Sequence, residues 1–412
     1  MREPREFEIT RVGAQGDGVA ETPDGPVFVP FTLAGERVRA EVEGSTGHLV
    51  EVLTRSSDRI LPPCRHFTVC GGCALQHMSA RAYLAWKKEQ VVAAFRARSL
   101  DVAISDVVAC SGTRRRAALS ARLAGAGVLL GFHKASSHDL VDLEECCVLH
   151  PSIVAAFPML RPLVAPLLSR RGETRVIVTW TLGGLDVALG DVSVELTPRL
   201  RALVAGAAAS AAIARVSVDE DPVYEGLTPA LRFGGVEVVP PPGTFLQAVA
   251  EMEVVMGDLV LAGAGKSRSI ADLFCGIGAF TLRLAERARV FAADGDKRAI
   301  GALNAALKRA RGLKPVEALR RDLFREPLSA TELRDFDCVV FDPPRAGADA
   351  QARMLARSRV NTVVAVSCNP ATLARDARTL IDGGYKLEAV TPVDQFLYSP
   401  HIEVVAVFRR QG

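Results

Sequence analysis

The sequence predicts an α/β protein: a doubly wound parallel sheet in the last third, a small β-barrel at the start, and a mixed α/β segment between them. Two observations carry this. From Ile270 onward short β-branched runs alternate with helical patterns, the signature of strand–helix–strand units. Before residue 55 the apolar runs are only three or four residues long and are separated by glycine-containing turns.

Taken in order, Phe7-Glu8-Ile9, Val27-Phe28-Val29, Arg37-Val38-Arg39-Ala40 and Leu49-Val50-Glu51-Val52 are divided by Gly16-Asp17-Gly18, Pro23-Asp24-Gly25 and Gly44. A cysteine cluster follows, Cys64 to Cys73, and then an amphipathic helix from about Ser79 to Arg98. Residues 105–235 mix strands and helices, with an alanine-rich stretch from Ala202 to Ala214. Pro240-Pro241-Pro242-Gly243 marks a boundary or a tight entry loop. Three units are expected: 1–57, 58–238 and 239–412. In the last, strands fall near 270–274, 289–294, 337–342, 362–366, 385–390 and 402–408, with helices near 279–287, 297–311 and 371–381.

The chain of 412 residues is 49% hydrophobic, enough for packed cores, yet no apolar run approaches the roughly 18 residues that span a bilayer. Four of its first six residues are charged, and the start holds no signal-peptide core. Nine cysteines, an odd number, argue against a secreted disulfide framework and for a reduced, cytoplasmic protein. Charge is uneven. Residues 1–55 hold six Arg against ten Asp/Glu, a net of −4, whereas 81–122 hold nine Lys/Arg against three acids, a net of +6. That basic segment, densest at Arg114-Arg115-Arg116, is expected to grip nucleic-acid phosphates.

Cys368 ends a buried-strand pattern, Thr362 to Val366, and precedes a helical one. Open α/β sheets bind their ligands at that edge. Asp272-Leu273-Phe274-Cys275-Gly276-Ile277-Gly278 is a strand-to-helix turn in which Gly276 and Gly278 let the backbone approach a ligand. Asp294 ends the next strand, 18 residues after Gly276, where a carboxylate can accept ribose hydroxyls. A nicotinamide dinucleotide would want a third glycine where Thr281 stands, so S-adenosylmethionine is the better fit. Asp342-Pro343-Pro344-Arg345 resembles the acidic turn of amino methyltransferases, with Arg345 in place of the base-stacking aromatic residue. That leaves methylation of a poor nucleophile such as pyrimidine carbon 5, which needs a thiolate at carbon 6 and a base for the carbon 5 proton. Cys368 suits the first role. Glu403, an acid in an apolar strand, suits the second, with His401 the competing base on the same face.

Cys64, Cys70 and Cys73 offer three thiols within ten residues, and Cys146-Cys147 is the unassigned pair that could add a fourth. On spacing, an iron–sulfur cluster competes with a zinc site completed by His66 or His77.

The strings Asp-Leu-Phe-Cys-Gly-Ile-Gly, Phe-Asp-Pro-Pro-Arg-Ala-Gly, Val-Ser-Cys-Asn-Pro-Ala-Thr-Leu-Ala-Arg-Asp and His-Ile-Glu together resemble the RNA (uracil-5-)methyltransferase family. The resemblance implies a Rossmann-like methyltransferase domain, an N-terminal TRAM-type (OB-like) barrel, Cys368 as nucleophile and Glu403 as base. It also implies S-adenosylmethionine contacts from Gln247, Phe274, Asp294, Asp322 and Asp342. Ala279 and Val249 stand where the family usually has asparagine. Resemblance to the ribosomal-RNA branch implies a 4Fe-4S cluster on Cys64, Cys70, Cys73 and Cys146, because Cys147 takes the place of that branch's proline. The expected partner is RNA, 23S ribosomal RNA first, with no DNA, no membrane and a monomeric state. Transfer RNA is the rival substrate, a cytosine-5 DNA enzyme would share the thiol logic, and a catalytically silent RNA-binding or assembly factor is the rival from another class.

Overall fold

The computed structural model describes residues 3–125, 127–170, 172–211 and 213–411. Its first sheet has six strands, in the spatial order Arg5–Glu8, Arg37–Glu43, Thr46–Thr54, Gly25–Val29, Gly18–Thr22 and Arg11–Val12. Strict alternation in Arg37–Glu43 sends Val38, Ala40 and Val42 inward to a core with Phe7, Ile9 and Val29. The long helix Ala80–Arg96 follows, capped by the Ser79 hydroxyl, which accepts from the Ala82 N–H. It carries Val91 and Phe95 into the same core as Val339 and Val363 of the C-terminal sheet and Leu373 of the helix Pro370–Asp382.

A seven-stranded sheet runs in the order Asp221–Glu225, Arg215–Val218, Gly184–Gly190, Thr174–Thr181, Arg116–Ala124, Gly127–His133 and Leu140–Asp142. Helices Pro151–Ala155, Phe157–Val164 and Pro198–Ser210 cover it, burying Ile153, Leu160, Val204 and Ala208.

The C-terminal sheet also has seven strands: Val316–Arg320, Arg289–Asp294, Ser269–Leu273, Cys338–Phe341, Thr362–Ser367, Glu403–Arg410 and Tyr385–Val393. The first five are parallel. Alternate residues of the inner strands face two separate apolar cores, Val339 and Val363 on one side, Val340 and Val364 on the other. Helices lie on both faces, so the doubly wound α/β class is the observed one.

Three details differ from the sequence reading. Val316–Arg320 is an edge strand that its short, charged sequence concealed, and its burial is confined to Ala318. Helices Ala250–Ala264 and Asp349–Ala356 were not anticipated. Most consequentially, Glu403–Arg410 is antiparallel to both of its neighbours rather than part of an all-parallel sheet. Its first residue therefore lies at the edge where the parallel strands end. Among the described residues no helix is long and apolar enough to cross a membrane.

Candidate active site

Every chemistry-bearing residue singled out in the C-terminal sheet meets at that one edge. Cys368 follows the last residue of Thr362–Ser367, and Asn369 then caps the helix Pro370–Asp382 by accepting from the Ala371 N–H at 3.1 Å. The thiol is half-buried. Burial first, then the nearby Glu403 and Asp342 carboxyls, push its pKa up to about 11, opposed by the Arg345 guanidinium.

Glu403 opens its strand opposite Val393 and is only 3% exposed. Its Oε1 accepts from Gln395 Nε2 at 2.9 Å, while Oε2 is buried without a partner. Burial, reinforced by Asp342, holds this carboxyl well above the ordinary acid range. His401 lies outside this strand, two residues before its start. The imidazole lies 2.7–2.8 Å from Arg345 Nη2, and burial with that guanidinium lowers its pKa to about 4. It is held as a neutral ring and is the weaker base.

Gln395 joins the parts. Its Oε1 accepts from the Ala248 N–H at 2.8 Å, and its Nε2 also donates to Gln247 Oε1 at 2.6 Å. Gln247 Nε2 in turn donates to Asp342 Oδ2 at 3.0 Å. Gln247, Asp342, Gln395 and Glu403 thus form one buried chain of side chains. The sequence reading missed Gln395; the available signal was a pair of polar residues, Asp394-Gln395, closing a strand, and both are fully buried. It also missed Lys87, fully buried on the helix Ala80–Arg96. Lys87 Nζ donates to Asp394 Oδ1 at 3.0 Å and to the His401 carbonyl, and Tyr83 donates to Asp394 Oδ2 at 2.8 Å. The helix therefore clamps the loop that delivers Glu403.

The glycine turn is built as a cradle. Phe274, Gly276 and Gly278 all have positive φ, 60°, 55° and 93°. At Gly278 a Cβ would lie 2.5 Å from Leu303 Cδ1, so only glycine fits. Asp294 Oδ2 accepts from the Gly276 N–H at 2.9 Å and Oδ1 from the Asp296 N–H at 2.8 Å, which fixes the carboxylate across the turn. Thr281, in the place of a third glycine, donates to the buried Asp272 at 2.5 Å, and burial pushes Asp272 up to about 7. Phe274 and Phe324 rings meet at 5.3 Å, and Asp322 Oδ1 accepts from the Phe324 N–H at 3.1 Å. These residues stand at the ends of three successive strands, and together they form an aromatic-walled, acid-lined rim suited to an adenosine moiety. Val249 heads the helix Ala250–Ala264 with no side-chain cap, and Ala279 packs in an apolar cluster, so neither offers the polar contact an asparagine could make.

Cys64, Cys70, Cys73 and Cys146 line one cavity, with Cys147 and His66 beside them. Burial raises Cys70 and Cys146, takes Cys73 to about 11 and Cys147 to about 12, and the thiols raise one another further. The donor set is soft and fits an iron–sulfur cluster or zinc. Among the described residues, however, no group of three or more His, Cys, Asp or Glu side chains is already arranged to hold a metal ion. The cysteine loop touches the catalytic edge: Ala74 and Leu75 N–H groups donate to the Tyr398 carbonyl at 2.8 and 3.1 Å.

The arginine run is not the exposed patch that its charge suggested. Arg115 is 4% exposed, paired with Glu253 and donating to the Gln247 carbonyl at 3.1 Å. Arg114 and Arg116 are half-buried and reach the Leu397 and Gly243 carbonyls at 3.4 and 3.3 Å. A buried charge needs internal partners, and here the run acts as a rivet between the central and C-terminal sheets.

Residues 203–411 match the family model described as tRNA (uracil-5-)methyltransferase. An uncharacterized RNA methyltransferase of Agrobacterium fabrum is 46% identical over 409 residues, 98% of either chain. The 23S rRNA (uracil(1939)-C(5))-methyltransferase RlmD of Chromohalobacter salexigens is 33% identical over 98% of this chain and 89% of its own. Among solved structures, the Pyrococcus abyssi tRNA (uracil-54, C5)-methyltransferase in complex with S-adenosyl-L-homocysteine superposes with a TM-score of 0.76 at 20% identity, covering 98% of this chain and 99% of that one, a likeness of fold.

Proposed function

Since the chain belongs to the tRNA (uracil-5-)methyltransferase family and is an S-adenosylmethionine-dependent RNA (uracil-5-)methyltransferase, we propose that it methylates carbon 5 of a uridine in 23S ribosomal RNA through a covalent adduct at Cys368. The observation that carries the covalent reading is the buried hydrogen-bonded chain from Glu403 through Gln395 and Gln247 to Asp342, with the Cys368 thiol close enough to feel both carboxyls. The Chromohalobacter relative, a 23S rRNA (uracil(1939)-C(5))-methyltransferase, supports the ribosomal substrate.

The target uridine is flipped from its stack to reach the sheet edge. The Cys368 thiolate adds to carbon 6, and the ring electrons move to make carbon 5 nucleophilic. Gln247, Phe274, Gly276, Gly278, Asp294, Asp322 and Asp342 would hold S-adenosylmethionine, which would supply the methyl group to carbon 5 and leave as S-adenosylhomocysteine. Glu403, with one carboxyl oxygen unpartnered and a raised proton affinity, removes the carbon 5 proton, and the thiolate is expelled as the ring double bond reforms. Arg345 is the cation that offsets the acidic neighbours of the thiol.

A 4Fe-4S cluster on Cys64, Cys70, Cys73 and Cys146 would tie the cysteine loop to the strand-rich centre of the molecule, and methyl transfer needs no redox step. The decisive experiment maps 5-methyluridine in RNA from cells with and without the gene. A site lost from 23S RNA supports the reading, and one lost from transfer RNA moves the enzyme to the rival substrate. RNA carrying 5-fluorouridine at that site should trap the wild type covalently and leave Cys368→Ala free. Undiminished methylation by Cys368→Ala would end the covalent reading.

A further inference from the structure

A cavity of about 490 Å³ lies away from the catalytic edge, between the central sheet and the C-terminal one. Its floor is apolar: Ile177 and Ala188 from the paired strands Thr174–Thr181 and Gly184–Gly190, and Pro242 from the entry loop. Three guanidinium groups, Arg116, Arg175 and Arg298, and three carboxyls, Asp191, Asp219 and Glu220, surround it. Volume and lining suit a small planar ligand with an anionic group.

The charges are unevenly matched. Arg298 pairs with Glu220 at 2.8 Å and Arg175 with Asp191 at 3.6 Å, both exposed contacts of the kind that are weak and easily exchanged. Arg116 is different. It is half-buried, its Nε is buried without a partner, and among the described residues no carboxylate pairs with it. Arg175 sits near enough to repel it. Arg116 thus has no carboxylate of its own and stands beside a guanidinium whose ion pair is loose, so an anion from outside can satisfy both. The rim is also conformationally costly: Asp191, Asp219 and Glu220 have φ of 63°, 45° and 78°, the left-handed region that residues other than glycine occupy sparingly. Both walls lead to the reaction centre. Gly243, which accepts from Arg116, is four residues from Gln247, and Arg298 is four residues beyond Asp294.

We propose that this cavity is a second nucleotide site, in which a residue of the RNA close to the target uridine places its phosphodiester on Arg116 and Arg175 and its base on the Ile177–Ala188–Pro242 floor. Flipping one base leaves its neighbours unstacked, and a pocket for one of them holds the strand while the target is in place. The inference rests on the reading that the chain acts on RNA, but not on which RNA it is.

The test uses the full-length protein and bulk RNA from cells lacking the gene, substituted with 4-thiouridine. Photocrosslinking should label peptides within 174–190. Arg175→Ala, at an exposed side chain, and Arg116→Gln should each lose that label, raise KM for the bulk RNA about tenfold and flatten the salt dependence of binding by about 0.7 per phosphate contact. Affinity for S-adenosylmethionine reports whether each variant remains folded at its cofactor site. If the wild type methylates the RNA while Arg175→Ala matches it in label, KM and salt slope, the inference is overturned. If the wild type transfers no methyl to RNA, the function reading fails instead, and the crosslinked peptides still decide the fate of the pocket.

Discussion

At the scale of single residues, Cys368, Glu403 and Asp294 were legible because each closes or opens a strand pattern, and strand ends place side chains without any need to know the packing. Gln395, Lys87 and Arg115 were not, because burial of a polar side chain is a tertiary event that leaves no trace in periodicity. Glu403 gives two expectations. Its carboxylate raises the Cys368 thiol, so Glu403→Gln should move the alkylation profile of Cys368, followed by peptide mass spectrometry, to lower pH. An unmoved profile would mean that the two groups do not sense each other. The second concerns stability. In the unfolded chain Glu403 ionises near pH 4.5, whereas in the fold its pKa is raised, so the native state binds the extra proton between those values. Stability is therefore lost as pH rises through that window. Glu403→Gln should raise the melting temperature at about pH 8 and leave it nearly unchanged at about pH 4, the reverse of what a structural carboxylate would give.

At the scale of elements, the alternation of runs after Ile270 disclosed most of the sheet but not the direction of Glu403–Arg410, since an apolar strand reads the same either way. That direction matters chemically: a parallel strand would have carried Glu403 to the opposite edge from Cys368. The helix Ala80–Arg96 looked like an ordinary amphipathic surface helix, yet it holds the Glu403 loop through Lys87 and Asp394. Removing one member of a buried ion pair strands the other, at a cost of about 3–5 kcal/mol. Lys87→Ala should lose about that much in chemical denaturation and lower kcat as the loop loosens. Lys87→Met combined with Asp394→Leu should recover stability but not kcat. Full recovery of both would reduce the pair to a packing feature.

At the scale of the whole molecule, the sequence placed the cysteines near one another but did not say that their loop would lean on the Tyr398 carbonyl, because the two lie more than three hundred residues apart. Anaerobically purified protein should contain iron and sulfide in equal amounts, and Cys146→Ser should lose both while Cys147→Ser keeps them. Stoichiometric zinc without iron would refute the cluster. The buried side-chain relay joins parts of the chain as far apart as Gln247 and Glu403, and it has a polarity. The Ala248 N–H can only give, so Gln395 must turn its oxygen that way and its amide hydrogens toward Gln247 and Glu403. Glu403 Oε1 is thereby obliged to receive and cannot itself carry a hydrogen toward Gln395. Any proton that Glu403 takes up must settle on Oε2, the oxygen left without a neighbour. A backbone amide on one segment thus dictates which of two chemically equivalent oxygens on another is basic, and so from which side a proton can arrive.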